Sequence, residues 1–228
     1  MDNNKPKVII YGGNGFVGTH LAEKLSQHNF CIVCLSRSGH KPLHLNKQPW
    51  SENVRWCKGD ANHPDQALLK KAEIVIVLVG SAPVPTFSRP AYEKQLNTNG
   101  NAPSQVINCA LNTGVKRVIL MGAQIPFFLN TKNFAYARGK QQSLESAKAF
   151  AQTSNEHSSV VLQPGAIFGK RHLANGKIIP IDIVLSPLSK IMPSQFISVD
   201  KLVDRLIEVA INEENYKGKF TLLKHRDI

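Results

Sequence analysis

Two side chains four residues apart have the types and spacing needed for proton transfer. Tyr136 and Lys140 lie in the segment Tyr-Ala-Arg-Gly-Lys, and residues four apart share one face of an α-helix. A lysine ammonium near a phenol favours the phenolate, so we expect Lys140 to lower the pKa of Tyr136. Tyr136 could then act as acid or base toward a carbonyl or hydroxyl group, with Lys140 tuning it. Ordinary helix faces also show this spacing, so its meaning depends on the elements around it.

A glycine-rich segment near the N-terminus predicts a site for a nucleotide pyrophosphate. The apolar run Val8-Ile9-Ile10 leads into Gly12, Gly15 and Gly18, and an amphipathic stretch follows. Strand, glycine turn and helix in this order are typical of dinucleotide-binding units, because the helix N-terminus offers free N–H groups to the phosphates. Gly12 would supply the tight turn, Gly15 the close approach and Gly18 the helix–strand packing. The predicted contacts are Gly12, Gly13, Asn14, Gly15, Phe16, Val17 and Gly18.

The residues after the second predicted strand favour NADP(H) over NAD(H). NAD-binding proteins usually place an acidic residue there, to bond the ribose 2′-hydroxyl. This chain instead has Ser36, Arg37 and Ser38, and a guanidinium can hold a 2′-phosphate through two hydrogen bonds. Asp60, after the third strand, could accept from the adenine amino group, and we group Ala61 with it. The alternatives are a solvated surface role for Arg37 and a turn or helix-cap role for Asp60.

Strand-like and helix-like segments alternate along the chain. The continuous apolar run Ile74–Val79 is typical of a central parallel strand covered on both faces. Helices are predicted over residues 97–113, 136–152 and 200–212, with strands between and around them. Repeated strand–helix units predict an α/β fold with a doubly wound parallel sheet. We expect one cofactor-binding domain over residues 1–228, with residues 166–198 and 213–228 contributing a small C-terminal lobe on the substrate side.

Composition limits the classes of function. Lys and Arg number 28 against 16 Asp and Glu, a net charge of +12, which favours anionic partners. The basic residues are scattered and no aromatic RNA-binding motif occurs, so no nucleic-acid partner is expected. Cys31 and Cys34 would point to opposite faces of a strand, and the histidines lack ligand spacing, so we predict no metal. With no apolar window of about 18 residues and no leader-like N-terminus, we expect a cytoplasmic protein.

Four further segments carry recognisable motifs. They are Val79-Gly80-Ser81, Asn97 with Gly100, Tyr136–Glu145, and Leu162-Gln163-Pro164-Gly165-Ala166-Ile167-Phe168-Gly169. Together with the glycine loop and Gly59-Asp60, they resemble the short-chain dehydrogenase/reductase superfamily, in particular its extended and atypical members related to the NAD-dependent epimerase/dehydratases. The resemblance covers nearly the whole chain and implies a Rossmann fold, with Tyr136 and Lys140 as catalytic residues. The further cofactor contacts that we assign with it are Val79, Gly80, Ser81, Asn97, Gly122, Tyr136, Lys140, Pro164, Gly165, Ala166 and Ile167.

One departure from the family leaves two functions open. Family enzymes carry a Ser or Thr just after the fifth strand to hold the substrate carbonyl, whereas this chain reads Met121-Gly122-Ala123-Gln124-Ile125. The first hypothesis is an NADP(H)-dependent oxidoreductase, or an epimerase/dehydratase-like enzyme, acting on a carbonyl or hydroxyl. The second is a catalytically weak or inactive NADPH-binding module that serves as a sensor or complex-assembly factor.

The glycine loop, Ser36–Gly39 and the stretch from Trp50 to Trp56 are most similar to atypical members associated with complex I and with ubiquinone biosynthesis. This likeness implies a small-molecule substrate in quinone metabolism or a place in a quinone-related complex. Five phenylalanines could line an apolar substrate pocket, with ordinary packing as the alternative; they are Phe87, Phe127, Phe128, Phe134 and Phe168. The basic stretch at 170–190 could dock peripherally at the inner face of an anionic membrane.

Overall fold

A parallel sheet of seven strands forms the centre of the protein, within the residues that the computed structural model describes: 5–131, 133–172, 178–180 and 194–228. The strands are β1 (Lys7–Tyr11), β2 (Cys31–Ser36), β3 (Val54–Lys58), β4 (Ile74–Val77), β5 (Arg117–Met121), β6 (Ser158–Gln163), β7 (Ala166–Phe168), β8 (Lys170–His172), β9 (Ile178–Pro180), β10 (Phe196–Ser198) and β11 (Phe220–Lys224). The order in the main sheet is β11-β6-β5-β4-β1-β2-β3. The chain therefore winds outward in both directions from β1 and β4, which confirms the predicted doubly wound α/β fold.

Helices cover both faces of the sheet. They are α1 (Phe16–Leu25), α2 (Gln66–Leu69), α3 (Arg89–Leu96), α4 (Ala102–Asn112), α5 (Ala135–Gln152) and α6 (Val199–Ile211). Side chains alternate along β1: Val8 and Ile10 join one buried cluster with α1 and α6, while Ile9 joins the other with α4 and α5. Because both faces of a central strand are buried, its sequence is apolar throughout.

The helix predicted over 97–113 begins earlier and contains an irregular turn. Ser88 caps α3 by accepting from the Ala91 backbone N–H, and a proline lies in the first turn, as is common at helix starts. A π-helical turn, Asn97–Asn101, then joins α3 to α4. Gly114, with φ of +78°, follows the end of α4, where a left-handed residue commonly ends a helix.

The residues after β6 form a smaller layer. β7 pairs with β10 in parallel, and β8 pairs with β9 in antiparallel fashion. Residues 220–224, which we expected in this lobe, instead form β11 at the edge of the main sheet beside β6. The alternating side chains of β11 explain its place in the main sheet, since they pack on both faces of it. Leu223 is buried in the cluster on one face, while Phe220 and Leu222 pack against the cluster on the other.

Membrane association was considered in two forms, docking of a basic stretch and a helix that spans the bilayer. Most of the basic stretch proposed to dock on a membrane, residues 173–177 and 181–190, lies outside the described residues. Among the helices that the structure does describe, none combines the length and the apolar character needed to cross a bilayer.

Candidate functional site

A groove of about 270 Å³ lies at the carboxyl ends of β1 to β4. The predicted cofactor residues that line it are Gly12, Asn14, Gly15, Ser36, Arg37, Asp60, Ala61, Val79 and Gly80. The other lining residues are Tyr11, Leu35, Gly59, Asn62, Leu78, Thr98 and Ala102. The strand order reverses between β1 and β4, so the groove lies at the switch point where open α/β sheets bind ligands.

The glycine loop leaves the space that a pyrophosphate needs. Gly12 has φ of +87°, a conformation that side chains disfavour. A Cβ atom on Gly18 would lie 2.3 Å from the Gly12 carbonyl oxygen. Gly15 at the N-cap of α1 offers no side chain to the helix N–H groups, and the first turn holds no acidic residue. The positive end of α1 is thus available to an anion, and the residues fit a dinucleotide phosphate.

Three predicted residues of this segment contribute to packing at the loop rather than to the groove lining. A Cβ atom on Gly13 would lie 2.5 Å from Cβ of Cys34, so this glycine allows the loop to rest on β2. Phe16 and Val17 begin α1 and pack, partly buried, against the core cluster on that face of the sheet.

Hydroxyl and amide groups connect the glycine loop to the end of β2. The Asn14 side-chain amide donates to Oγ of Ser38 at 3.1 Å, and Ser36 Oγ lies 3.3 Å from Ser38 Oγ. Ser36 Oγ also accepts from the backbone N–H of Gly39. Arg37, which stands between Ser36 and Ser38 in the sequence, is exposed and lines the groove. This arrangement could receive a phosphate that projects from the groove.

Asp60 lines the groove but also has the turn role that sequence left open. Its Oδ1 accepts from the backbone N–H of Asn62 at 3.0 Å and from the Asn62 amide at 3.1 Å. These bonds, the backbone one foremost, hold the pKa of Asp60 below its usual value. Asn97, predicted to touch the cofactor, donates to Asn62 Oδ1 at 2.8 Å. It therefore contacts the groove through Asn62, which lines it.

Asn99 is a site residue that the sequence reasoning missed. It is fully buried and accepts from the backbone N–H of Ser81 at 3.1 Å. Its amide also donates to Ser81 Oγ and to the Gln95 carbonyl. The segment Val79-Gly80-Ser81 is thereby fixed where it passes the groove. The asparagine-rich run from Asn97 to Asn101 was the available signal in the sequence. Which of these asparagines points inward depends on the π-helical turn.

Tyr136 and Lys140 lie on one face of α5, and Lys140 reaches the groove at Gly80. A Cβ atom on Gly80 would lie 3.3 Å from Lys140 Nζ, which donates to the Met121 carbonyl at 2.8 Å. Burial lowers the pKa of Lys140 to about 8. Nζ lies 5.9 Å from the centre of the Tyr136 ring.

The pKa of Tyr136 shifts in the direction opposite to the one that we predicted. The ammonium was predicted to lower it, but burial raises the pKa of Tyr136 to about 12. Desolvation of the phenolate causes this rise, and the hydrogen bond that Lys140 Nζ makes is to the Met121 carbonyl. Tyr136 is therefore a neutral phenol at physiological pH in this structure, and it holds its proton more tightly than a solvent-exposed tyrosine does.

The segments after β5 and β6 meet each other rather than the groove. Gly122 donates from its backbone N–H to the Leu162 carbonyl at 2.7 Å, and Gln124 donates to the Pro164 carbonyl at 2.8 Å. Gly165 N–H donates to Nδ1 of His225, and Ala166 N–H to the Gln195 carbonyl. Ile167 lies in β7, opposite Ile197. These predicted cofactor contacts thus support a second cavity.

The second cavity, of about 640 Å³, lies at the carboxyl ends of β5, β6 and β11. Its lining residues are Ala123, Gln124, Ile125, Asn130, Gln141, Gln163, Ser194, Lys201, Lys224, His225 and Arg226. Sequence reasoning missed its basic side chains. The run Lys224-His225-Arg226 at the end of the last strand was a usable signal, since ligands bind beyond such ends.

The predicted apolar pocket does not coincide with either cavity. Phe87 and Phe127 are 96% and 95% exposed, and Phe128 is exposed as well. Phe134 and Phe168 are half-buried. Among the described residues that line the two cavities there is no phenylalanine.

Comparison with known proteins identifies the class to which this fold and site belong. Residues 8–184 match the model of the NAD dependent epimerase/dehydratase family. The chain is a member of that family, which supports a nicotinamide dinucleotide as its cofactor and accords with the position of the groove.

Particular relatives give a more detailed comparison. An uncharacterized chloroplastic protein of Arabidopsis thaliana is 31% identical over 199 residues, covering 85% of this chain and 61% of that protein. MIOREX complex component 2 of Saccharomyces cerevisiae is 35% identical over 79 residues, which are 33% of this chain and 28% of that protein. The structure of MoeE5 in complex with UDP-glucuronic acid and NAD superposes with a TM-score of 0.70 at 21% identity, covering 96% of this chain and 75% of that chain. This chain therefore spans about three fifths of its Arabidopsis relative and less of the yeast one, and the MoeE5 likeness establishes the fold.

Proposed function

We propose that the protein is an NADP(H)-dependent oxidoreductase that reduces a carbonyl group of a small molecule. The observation that carries the proposal is the position of Lys140 Nζ beside Gly80, a residue of the dinucleotide groove, with Tyr136 on the same helix face. In this proposal Tyr136 is the proton donor, on the helix whose Lys140 reaches the groove at Gly80. The nicotinamide, when bound, supplies the hydride.

The chain's own residues have distinct roles in this proposal. Tyr136, with a pKa raised to about 12, donates its proton to the substrate oxygen. Lys140 anchors the end of β5 through the Met121 carbonyl and can donate further N–H bonds to the ribose hydroxyls of the cofactor. Asn99 holds the β4 segment in place beneath both.

The preference for NADP(H) rests on the end of β2. Arg37 and the hydroxyls of Ser36 and Ser38 offer donors at the groove edge, and no acidic residue in Ser36–Gly39 competes for a ribose 2′-hydroxyl. The related structure of MoeE5 contains NAD, so the preference is a property to be tested in this chain.

Turnover with a panel of carbonyl compounds tests the proposal. NADPH oxidation should be measurable, and Tyr136→Phe should reduce kcat by about 100-fold or more, the usual contribution of a positioned acid. Tyr216→Phe is a suitable control, because Tyr216 is buried just before β11 begins, whereas both cavities lie at the carboxyl ends of the strands. Undiminished turnover in Tyr136→Phe would show that another group donates the proton.

A second candidate function is a non-catalytic NADPH-binding module. It is favoured by the absence of a hydroxyl side chain from Gly122 to Ile125 after β5 and by the yeast relative named as a complex component. A role as sensor or assembly factor belongs with this candidate, while a link to quinone metabolism is compatible with both candidates. Tight NADPH binding without oxidation of NADPH by any carbonyl or quinone in the panel would support it over the reductase.

A further inference from the structure

The cavity beyond β5, β6 and β11 concentrates positive charge. Lys201 comes from the first turns of α6, Lys224 from the end of β11, and Arg226 from the residues that follow. All three are exposed. None of the described lining residues is acidic, although Asp227 lies 3.8 Å from Arg226. An anion entering this cavity meets several cations within one small volume.

Neutral donors complete the lining. The amide side chains of Gln124, Gln141, Gln163 and Asn130 face the cavity. His225 also lines the cavity. Its tautomer is fixed, because its Nδ1 accepts from the Gly165 backbone N–H at 2.9 Å. A neutral His225 ring must therefore carry its proton on Nε2. Charged and neutral donors together are what phosphate and carboxylate groups require.

The cavity adjoins α5, the helix that carries the proposed proton donor, because Gln141 of that helix lines it. The Met121 carbonyl accepts from Lys140 Nζ, and Ala123 and Gln124 of the cavity follow two and three residues later. A molecule anchored here could extend toward Tyr136. Among the described residues that line the cavity, Ala123 and Ile125 are the apolar ones, and no Phe, Tyr or Trp is present on which a nucleobase could stack.

We propose that this cavity binds the anionic group of the substrate, a phosphate or carboxylate on a compact molecule without a nucleobase. The inference rests on the proposed reductase function for the identity of the ligand as substrate, while the binding site itself stands on the cavity. It replaces the apolar, lipid-like substrate expected from the phenylalanines, which lie elsewhere on the protein.

Binding measurements separate this inference from catalysis. Calorimetric titrations would use protein saturated with NADPH, so that anions cannot occupy the dinucleotide groove, at constant ionic strength. The ligands would be inorganic phosphate, malonate, pyrophosphate and UDP. We expect saturable binding of phosphate or malonate, whose relative affinities distinguish a phosphate from a carboxylate substrate. UDP should bind within about threefold of pyrophosphate, because no base subsite adds affinity.

Matched triple variants locate the bound anion. Lys201→Ala/Lys224→Ala/Arg226→Ala should weaken phosphate or malonate binding by about tenfold or more. The control Lys47→Ala/Arg55→Ala/Lys148→Ala removes three exposed cations that do not line the cavity and should bind as the unmodified protein does. Unchanged melting temperatures would show that both variants fold.

Several results would overturn the inference. Equal losses in both triple variants would indicate non-specific attraction to net charge, and no saturable binding would show that the cavity is not an anion site. UDP binding more than about tenfold tighter than pyrophosphate would reveal a nucleotide site instead. Anion binding without carbonyl turnover would contradict the reductase proposal alone, and turnover of neutral carbonyl compounds without anion binding would contradict only the present inference.

Discussion

The buried ammonium of Lys140 should make the free energy of unfolding rise with pH above neutrality. Burial lowers its pKa from 10.5 to about 8 in the folded chain. Between these values the unfolded chain holds a proton that the folded chain has lost, so stability rises with pH. Below pH 8 both states are protonated and the cost of burying the charge is fully present.

The size of this effect follows from the shift. A fall in pKa from 10.5 to about 8 corresponds to a ceiling of about 3 kcal/mol, since each pKa unit is worth about 1.4 kcal/mol. Between pH 7 and 9.5, integration over the two pKa values gives a gain of about 2 kcal/mol. Lys140→Met removes the titrating group while keeping a long side chain, so its stability should lack this gain.

Urea unfolding at pH 7, 8, 9 and 9.5 measures the difference between the two proteins. Subtracting the Lys140→Met curve cancels the titration of the other groups to first order. The difference should grow in favour of the unmodified protein by about 2 kcal/mol. Lys148→Met is the matched control, since Lys148 is exposed on the same helix, and should give a flat difference. Parallel curves for the unmodified protein and Lys140→Met would refute the assignment of a buried, destabilised ammonium.

Three further predictions concern the groove and its surroundings. Arg37→Ala should raise the Kd for NADPH about tenfold or more while changing that for NADH by less than about threefold; fluorescence titration would show this, and equal losses would remove the basis for an NADP preference. Gly18→Ala places a Cβ 2.3 Å from the Gly12 carbonyl oxygen, so chemical unfolding should show a loss of at least about 1 kcal/mol together with weaker NADPH binding; normal binding would mean that the loop yields easily. Burial, followed by the charges of His172 and His20, lowers the pKa of His44 to about 4 from 6.5; its neutral form thus contributes stability that is present above pH 6.5 and lost as pH falls toward 4, and unfolding curves of His44→Gln should lack that component.

The sheet and the glycine loop were predictable because their signals are local. Continuous apolar runs such as Ile74–Val77 indicate strands buried on both faces. Gly12 is required where φ is +87°, and the chain order of strand, turn and helix needs no distant contact to be recognised. The same holds for Tyr136 and Lys140, whose shared helix face follows from their spacing.

The missed features depend on contacts between distant parts of the chain. Gly100 in the π-helical turn would, with a Cβ, lie 2.9 Å from Gly139 Cα. Close packing of this turn against α5 thus accompanies the inward direction of Asn99, and no local pattern encodes it. The pKa of Tyr136 likewise depends on burial among neighbours that the sequence does not bring together, which is why the expected direction of its shift was wrong.

The second cavity shows how strand register alone can create a site. β11 pairs with β6 so that Lys224 lies opposite Gln163, although 61 positions separate them in the chain. A shift of one residue would turn Lys224 toward the other face of the sheet, and the basic run that follows it would leave the cavity. Two regions suited to anions thus lie at the carboxyl ends of the strands. One is the N-terminus of α1, beside β1, and the other is the group of cations beside β11. Tyr136 lies on the helix that follows β5, between them in chain and strand order. A reductase whose cofactor and substrate are both anionic needs two separate positive sites. The phosphates of the cofactor and the charged group of the substrate then bind at the same time, because they do not compete for a single site.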